Sequence, residues 1–221
     1  MILFPETIKE AAQFYIDHGF RPMPIFGVHE GCKHKPYKPE LDCRGQCWGK
    51  VPKAEHWPDH EVFGPEHFDN NCNLALIMGK QLDGRWFFGL DIDGDLDLTE
   101  FLILPETLEC KTNRGRHLIF EVPEDTPLGN WNDAFSTRSE TLGYRTGYFG
   151  ALDLKYCRGA FVSPPSKTKV GNQYQWLNWR KPELLPEDEI RYLIRKRRYA
   201  FPNVKRYNKW STDPGHKNKN P

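Results

Sequence analysis

The chain has 221 residues, 38% of them hydrophobic, 14% aromatic and 28% charged, with a formal net charge of +1. Enough apolar residues are present to bury a core, which excludes wholesale disorder, and the length suits one domain with at most a small appendage. No apolar run approaches the roughly 18–20 residues of a membrane span, and no basic segment followed by an apolar stretch opens the chain, so the sequence reads as soluble and cytoplasmic with no membrane partner.

The near-neutral total hides an asymmetry. Residues 191–221 carry ten Lys or Arg against the single acid Asp213, leaving 21 basic and 29 acidic residues in the rest. Tyr192, Tyr199, Phe201, Tyr207 and Trp210 are interleaved with those charges. Such a tail suits a polyanion with bases to stack upon, or it is a solvated linker, and its last residues have the composition of a disordered segment.

In chain order, Ile8, Ala11, Ala12, Tyr15 and Ile16 fall at helical spacing, which predicts a helix over Pro5–His18 stopped by Gly19. Arg21–Phe26 predicts a short strand that Pro22 and Pro24 confine to an edge. Residues 29–58 are polar and rich in Cys, His, Lys and Pro, with no sustained period, so this insert needs something other than a core to hold it. Asn73–Met78 and Trp86–Asp93 are strand-like, and Asp83-Gly84 between them predicts a hairpin. Further strands are expected at Leu108–Thr112, His117–Val122, Ala151–Tyr156 and Ala160–Ser163, and a helix at Glu187–Arg198. The mixture predicts an α/β (α+β) domain with a largely antiparallel sheet.

Asp91 and Asp93 end an apolar strand, so the period of 2 turns both carboxylates to one face, about 6.6 Å apart along the chain. Asp153 is a second strand-borne acid among apolar neighbours. Three carboxylates converging from adjacent strands would make the oxygen-rich site that Mg²⁺ or Mn²⁺ prefers, and two such ions drive in-line phosphoryl transfer in polymerases and nucleases. The alternative is a strand end bordered by solvated acids, of which Asp95 and Asp97 are further examples. A calcium loop is excluded: counted from Asp91 or Asp93, leucines occupy the sixth and twelfth positions, where Gly and Glu are required. His117 follows a basic, Gly-containing turn with Arg114 and Arg116, where it could donate to phosphate oxygens or rest as a satisfied core histidine.

Asp91-Ile-Asp93, Gly115-Arg-His117 and Leu152-Asp153-Leu-Lys155 resemble, in order, the three motifs of the archaeo-eukaryotic primase superfamily. More specifically, the chain resembles the bifunctional DNA primase/polymerase domain of plasmids, phages and other mobile elements. Gly19–Ile25, Asn73–Gly79, Gly159–Ser166 and Gly171–Trp176 are similar to further motifs of that family, and the likeness covers about residues 14–180. The resemblance implies a primase-polymerase core with an RNA-recognition-motif-like sheet over residues 1–190, whereas the basic helix end and partly disordered tail over 191–221 are read from composition and have no counterpart in the catalytic motifs. It implies a DNA-templated nucleotidyltransferase that makes and extends primers from NTPs or dNTPs in the replication of a mobile element in its host cell. Asp91, Asp93 and Asp153 would hold two Mg²⁺ or Mn²⁺ ions, His117 would contact the triphosphate, and Arg116, Lys155 and Arg114 would add phosphate contacts. Partners would be a single-stranded DNA template, a primer, and a helicase or accessory primase domain. The rival functions are a metal-dependent nuclease with the same acids and a catalytically silent DNA-binding or replication-initiation module.

In the insert, Cys32, His34, Cys43 and Cys47 supply four N/S ligands suited to a structural Zn²⁺, which would order a segment without a core. His29 and His56 are reserve ligands. The alternatives are free thiols or a disulfide, the latter disfavoured in a cytosolic setting. Members of the resembled family carry a Cys-rich knuckle followed by Gly-Lys-x-Pro, similar to Gly49-Lys-Val-Pro52. Cys72, Cys110 and Cys157 lie in or beside apolar strands, as buried structural thiols do.

Overall fold

The structure, a computed structural model, describes residues 4–28, 49–54, 57, 62–94, 98–99, 102–124, 126–128, 151–168 and 171–200. The zinc ligands expected at Cys32, His34, Cys43 and Cys47, their reserves His29 and His56, and the tail beyond residue 200 lie outside the described residues.

Helix α1 (Ile8–Asp17) forms where the spacing predicts it. Thr7 caps it: its hydroxyl accepts from the Glu10 amide at 3.3 Å and donates to the Glu10 carboxylate at 2.7 Å. Gly19, at φ +82°, turns the chain out of the helix. The strands described are β1 (Pro22–Ile25), β2 (Asn73–Ile77), β3 (Gly79–Lys80), β4 (Trp86–Asp93), β5 (Leu108–Lys111), β6 (Gly115–Val122), β7 (Ala151–Lys155), β8 (Ala160–Val162) and β9 (Gln175–Asn178), followed by helix α2 (Glu187–Ala200).

They form two sheets in which all strand pairs are antiparallel. The smaller has the order β1-β2-β8. Its edge strand β1 tolerates two prolines because Pro22 and Pro24 face away from β2. The Pro24 carbonyl points outward to accept from Lys53 N at 3.0 Å, so the missing N–H groups cost no ladder bond. In the larger sheet β4 is central: β6 pairs along its full length, while its other edge is shared by β3 at Trp86–Phe87 and β7 at Gly89–Asp93. Beyond β6 come β5 and then β9.

The predicted hairpin needs correction. Asn73–Ile77 does not pair with Trp86–Asp93; it belongs to the smaller sheet, and only Gly79–Lys80 pairs with β4. Gly79, at φ +95°, redirects the chain from one sheet to the other, which few non-glycine residues could do. The Asp83-Gly84 turn then closes a much shorter hairpin, with Gln81 N donating to Arg85 O at 2.8 Å.

The two faces of β4 have different partners. Phe88, Leu90 and Ile92, with Leu118, Phe120, Leu152 and Leu154, pack on Ile190 and Leu193 of α2. The opposite face, with Phe87, Leu108, Cys110 and Ile119, packs on α1 and the smaller sheet. Gly89 is the glycine of this second face. A Cβ there would overlap the Phe161 ring of β8, so the missing side chain is what lets the two sheets close together.

Candidate active site

Register and alternation build the site. Cys110, His117, Asp91 and Asp153 stand directly opposite one another across β5, β6, β4 and β7, and so share one face. One row along, Asp93 faces Gly115 and Ala151; one row back, Gly89 faces Ile119 and Lys155. Asp91, Asp93, Asp153, His117 and Lys155 therefore share the face that packs on the smaller sheet. The carboxylates and His117 lie just beyond the point where Phe161 covers Gly89.

Each acid has a basic companion. His117 Nε2 is 3.2 Å from Asp91 Oδ1, Lys155 Nζ is 3.0 Å from Asp153 Oδ2, and Arg114 is 3.6 Å from Asp93 Oδ2. Burial pushes the Asp91 carboxyl up. The hydrogen bond and charge of His117, with the charges of Lys155 and Lys50, outweigh that and hold it below the usual carboxylate range. His117 itself is only 5% exposed and stacks on Phe161 with ring centres 4.4 Å apart. Its Nδ1 is buried with no hydrogen-bond partner among the described residues, which carries a desolvation cost.

Arg116 is not brought to this face. It stands opposite Ile92 and Lys111, on the α2 side of the sheet, and pairs with Glu109 at 3.3 Å. Its placement gives no support to the phosphate contact expected of it. Asp95 and Asp97 lie outside the described residues.

Two residues not singled out in the sequence border the site. Tyr174 stacks on His117 at 6.0 Å; burial pushes its phenol well above the usual range, and Asp91, Cys110 and Asp93 push the same way. Lys50 contributes charge to Asp91. Both lie in motifs quoted above, Gly171–Trp176 and Gly49–Pro52, which was the signal available. Cys110 lies on the same face, but burial drives its thiol far above the ordinary range, so it is not a nucleophile at neutral pH.

Among the described residues no three His, Cys, Asp or Glu side chains converge as a ready metal-binding cluster. The donor set nonetheless fits a hard divalent cation, because three carboxylates on one face in adjacent register rows offer only oxygens. Lys155 and Arg114, which now neutralise Asp153 and Asp93, are cationic groups that a cation would displace. Among the described residues no helix is long and apolar enough to cross a membrane.

Residues 12–188 match the family model of the bifunctional DNA primase/polymerase, N-terminal domain. No curated protein matches the chain.

Proposed function

The chain belongs to the bifunctional DNA primase/polymerase family, and from that premise we propose that it is a DNA-templated primase-polymerase that makes and extends primers from NTPs or dNTPs. The observation that carries this reading is the placement of Asp91, Asp93 and Asp153 on one sheet face beside His117. Asp91, Asp93 and Asp153 would hold Mg²⁺ or Mn²⁺. When bound, such ions neutralise phosphate charge and lower the pKa of the attacking hydroxyl.

The chain's own residues do the rest. In the transfer, the primer 3′-oxygen forms a bond to the α-phosphorus as the bond to pyrophosphate breaks. His117 is fixed by Asp91 at one nitrogen and by Phe161 at its ring face, so the imidazole is held ready beside the carboxylates to meet a phosphate oxygen. Lys155 and Arg114, now on Asp153 and Asp93, bring positive charge to the same rim for the triphosphate.

Cys32, His34, Cys43 and Cys47 are proposed as a structural zinc site on their donor chemistry alone. Elemental analysis of the purified protein should find about one zinc per chain, and none would remove the proposal. A single-stranded template, a primer, and a helicase or accessory primase domain are the proposed partners, in the replication of a mobile element.

Product analysis on a labelled primed template, with nucleotides and Mg²⁺ or Mn²⁺, tests the reading. Lengthened strands support it. Shortened strands would instead indicate a metal-dependent nuclease, and binding without change in length a silent DNA-binding module.

A further inference from the structure

Asn73, the first residue of β2, is polar yet only 4% exposed. Its amide nitrogen donates to Gly49 O at 3.2 Å and to Lys167 O at 2.8 Å, while its carbonyl oxygen accepts from Lys167 N at 2.9 Å. One side chain thus ties the Gly49–Lys50 turn to the loop that follows β8. The turn is held on its far side too, where Phe26 N donates to Val51 O at 2.8 Å and Lys53 N to Pro24 O at 3.0 Å. Gly49 itself, at φ +66°, has Asn73, Val28 and Lys167 packed where a side chain would be. The backbone of Lys50 is therefore clamped on both flanks, while its side chain is exposed.

The clamp has a direction. Lys167 bridges to Gln173, Tyr174 N donates to Ser166 O at 2.9 Å, and the Tyr174 ring stacks on His117. The loop tied to Gly49 therefore continues directly onto the carboxylate face, and the charge of Lys50 is among those that lower Asp91. Lys155 and Arg114 are engaged with Asp153 and Asp93, whereas Lys50 makes no ion pair among the described residues. An exposed ammonium on a fixed backbone, with no ion pair among the described residues and close enough for its charge to act on Asp91, suits a polyphosphate.

We propose that Lys50 is a phosphate-binding residue of this face, taking the triphosphate of the incoming nucleotide, and that Asn73 is the positioning residue that holds it there. The proposal rests on the nucleotidyl-transfer reading for its ligand and on the clamp for its geometry.

Three measurements on the full chain test it: calorimetric binding of inorganic triphosphate in EDTA, KM and kcat for nucleotide on a primed template, and anisotropy with single-stranded DNA. Lys50→Met should weaken triphosphate binding and raise KM by about 10-fold to 100-fold, the range of one charge-assisted hydrogen bond, with kcat changing less. Lys50→Arg should restore much of the loss. Asn73→Ala should raise KM in the same sense, and Lys9→Met, exposed on α1, should change nothing. Wild-type KM and triphosphate affinity in Lys50→Met would overturn the proposal while leaving the polymerase reading intact. A loss confined to DNA affinity would overturn it as well, by making Lys50 a template contact. Triphosphate binding that depends on Lys50 in a protein that synthesises nothing would uphold the site and sink the polymerase reading instead.

Discussion

His117 Nε2 lies 3.2 Å from Asp91 Oδ1, across β6 and β4 at one level of the register. The pair offsets the burial of the carboxylate and fixes the imidazole against Phe161, so one contact serves both acid and base. Replacing His117 by Ala leaves Asp91 without that partner and opens space beneath Phe161. The expected cost is about 1–3 kcal/mol of stability, read by denaturant unfolding. Strand synthesis should fall about 10²-fold or more, as when a preorganised donor is lost from a transition state. Unchanged synthesis in a folded variant would remove His117 from the mechanism.

Gly89→Ala tests how the two sheets meet. The added methyl collides with the Phe161 ring, which must shift and carry His117 with it. Overpacking of this kind costs about 1–3 kcal/mol. Activity should fall further than stability alone explains. Phe161→Leu combined with Gly89→Ala should recover stability before it recovers activity, because the ring that stacks on His117 is then gone.

Tyr15 is fully buried in α1, where its hydroxyl donates to Pro164 O at 2.7 Å and accepts from Trp176 Nε1 at 3.0 Å. Tyr15→Phe strands both partners and should cost about 1–3 kcal/mol, lowering the melting temperature while leaving KM for nucleotide unchanged. A wild-type melting temperature would contradict this account of the α1 contact.

Alkaline pH acts through three buried acids. Burial is the first cause that raises Tyr15, Cys110 and Tyr174, each well above its ordinary range. The fold therefore keeps protons that the unfolded chain releases, first from Cys110 near about pH 8.5 and then from the tyrosines near about pH 10. Stability should be level with respect to these groups below about pH 8 and decline above it. Cys110→Ala should flatten the first part of that decline. Native Cys110 should also resist alkylation at neutral pH until urea unfolds the chain, whereas rapid native labelling would contradict its burial.

Much of this architecture follows from short-range pattern. The spacing of Ile8, Ala11, Ala12 and Tyr15 outlines α1, and the period of 2 alone puts Asp91 and Asp93 on one face. The same alternation, applied to Arg116, places it opposite to its neighbour His117, which the register bears out. Other features depend on contacts distant in sequence. β9 escapes notice because Gln175–Asn178 alternates exposed with half-buried residues and carries little apolar signal. The assignment of Asn73–Ile77 to a separate sheet turns on the φ of Gly79, which composition does not reveal. Lys50 and Tyr174 join the site through Asn73 and the loop after β8, links spanning many tens of residues.

The most direct test of the central claim is incorporation of labelled dNTPs and NTPs on single-stranded DNA, with and without a primer, in Mg²⁺ or Mn²⁺. Wild-type protein should be compared with Asp91→Asn, Asp153→Asn and the α1 surface control Asp17→Asn. The wild type and the control should give products, and both site variants should lose about 10²-fold or more, with circular dichroism and DNA binding retained. Products that persist in a folded Asp91→Asn, Asp153→Asn double variant would contradict the assignment of this face as the catalytic site.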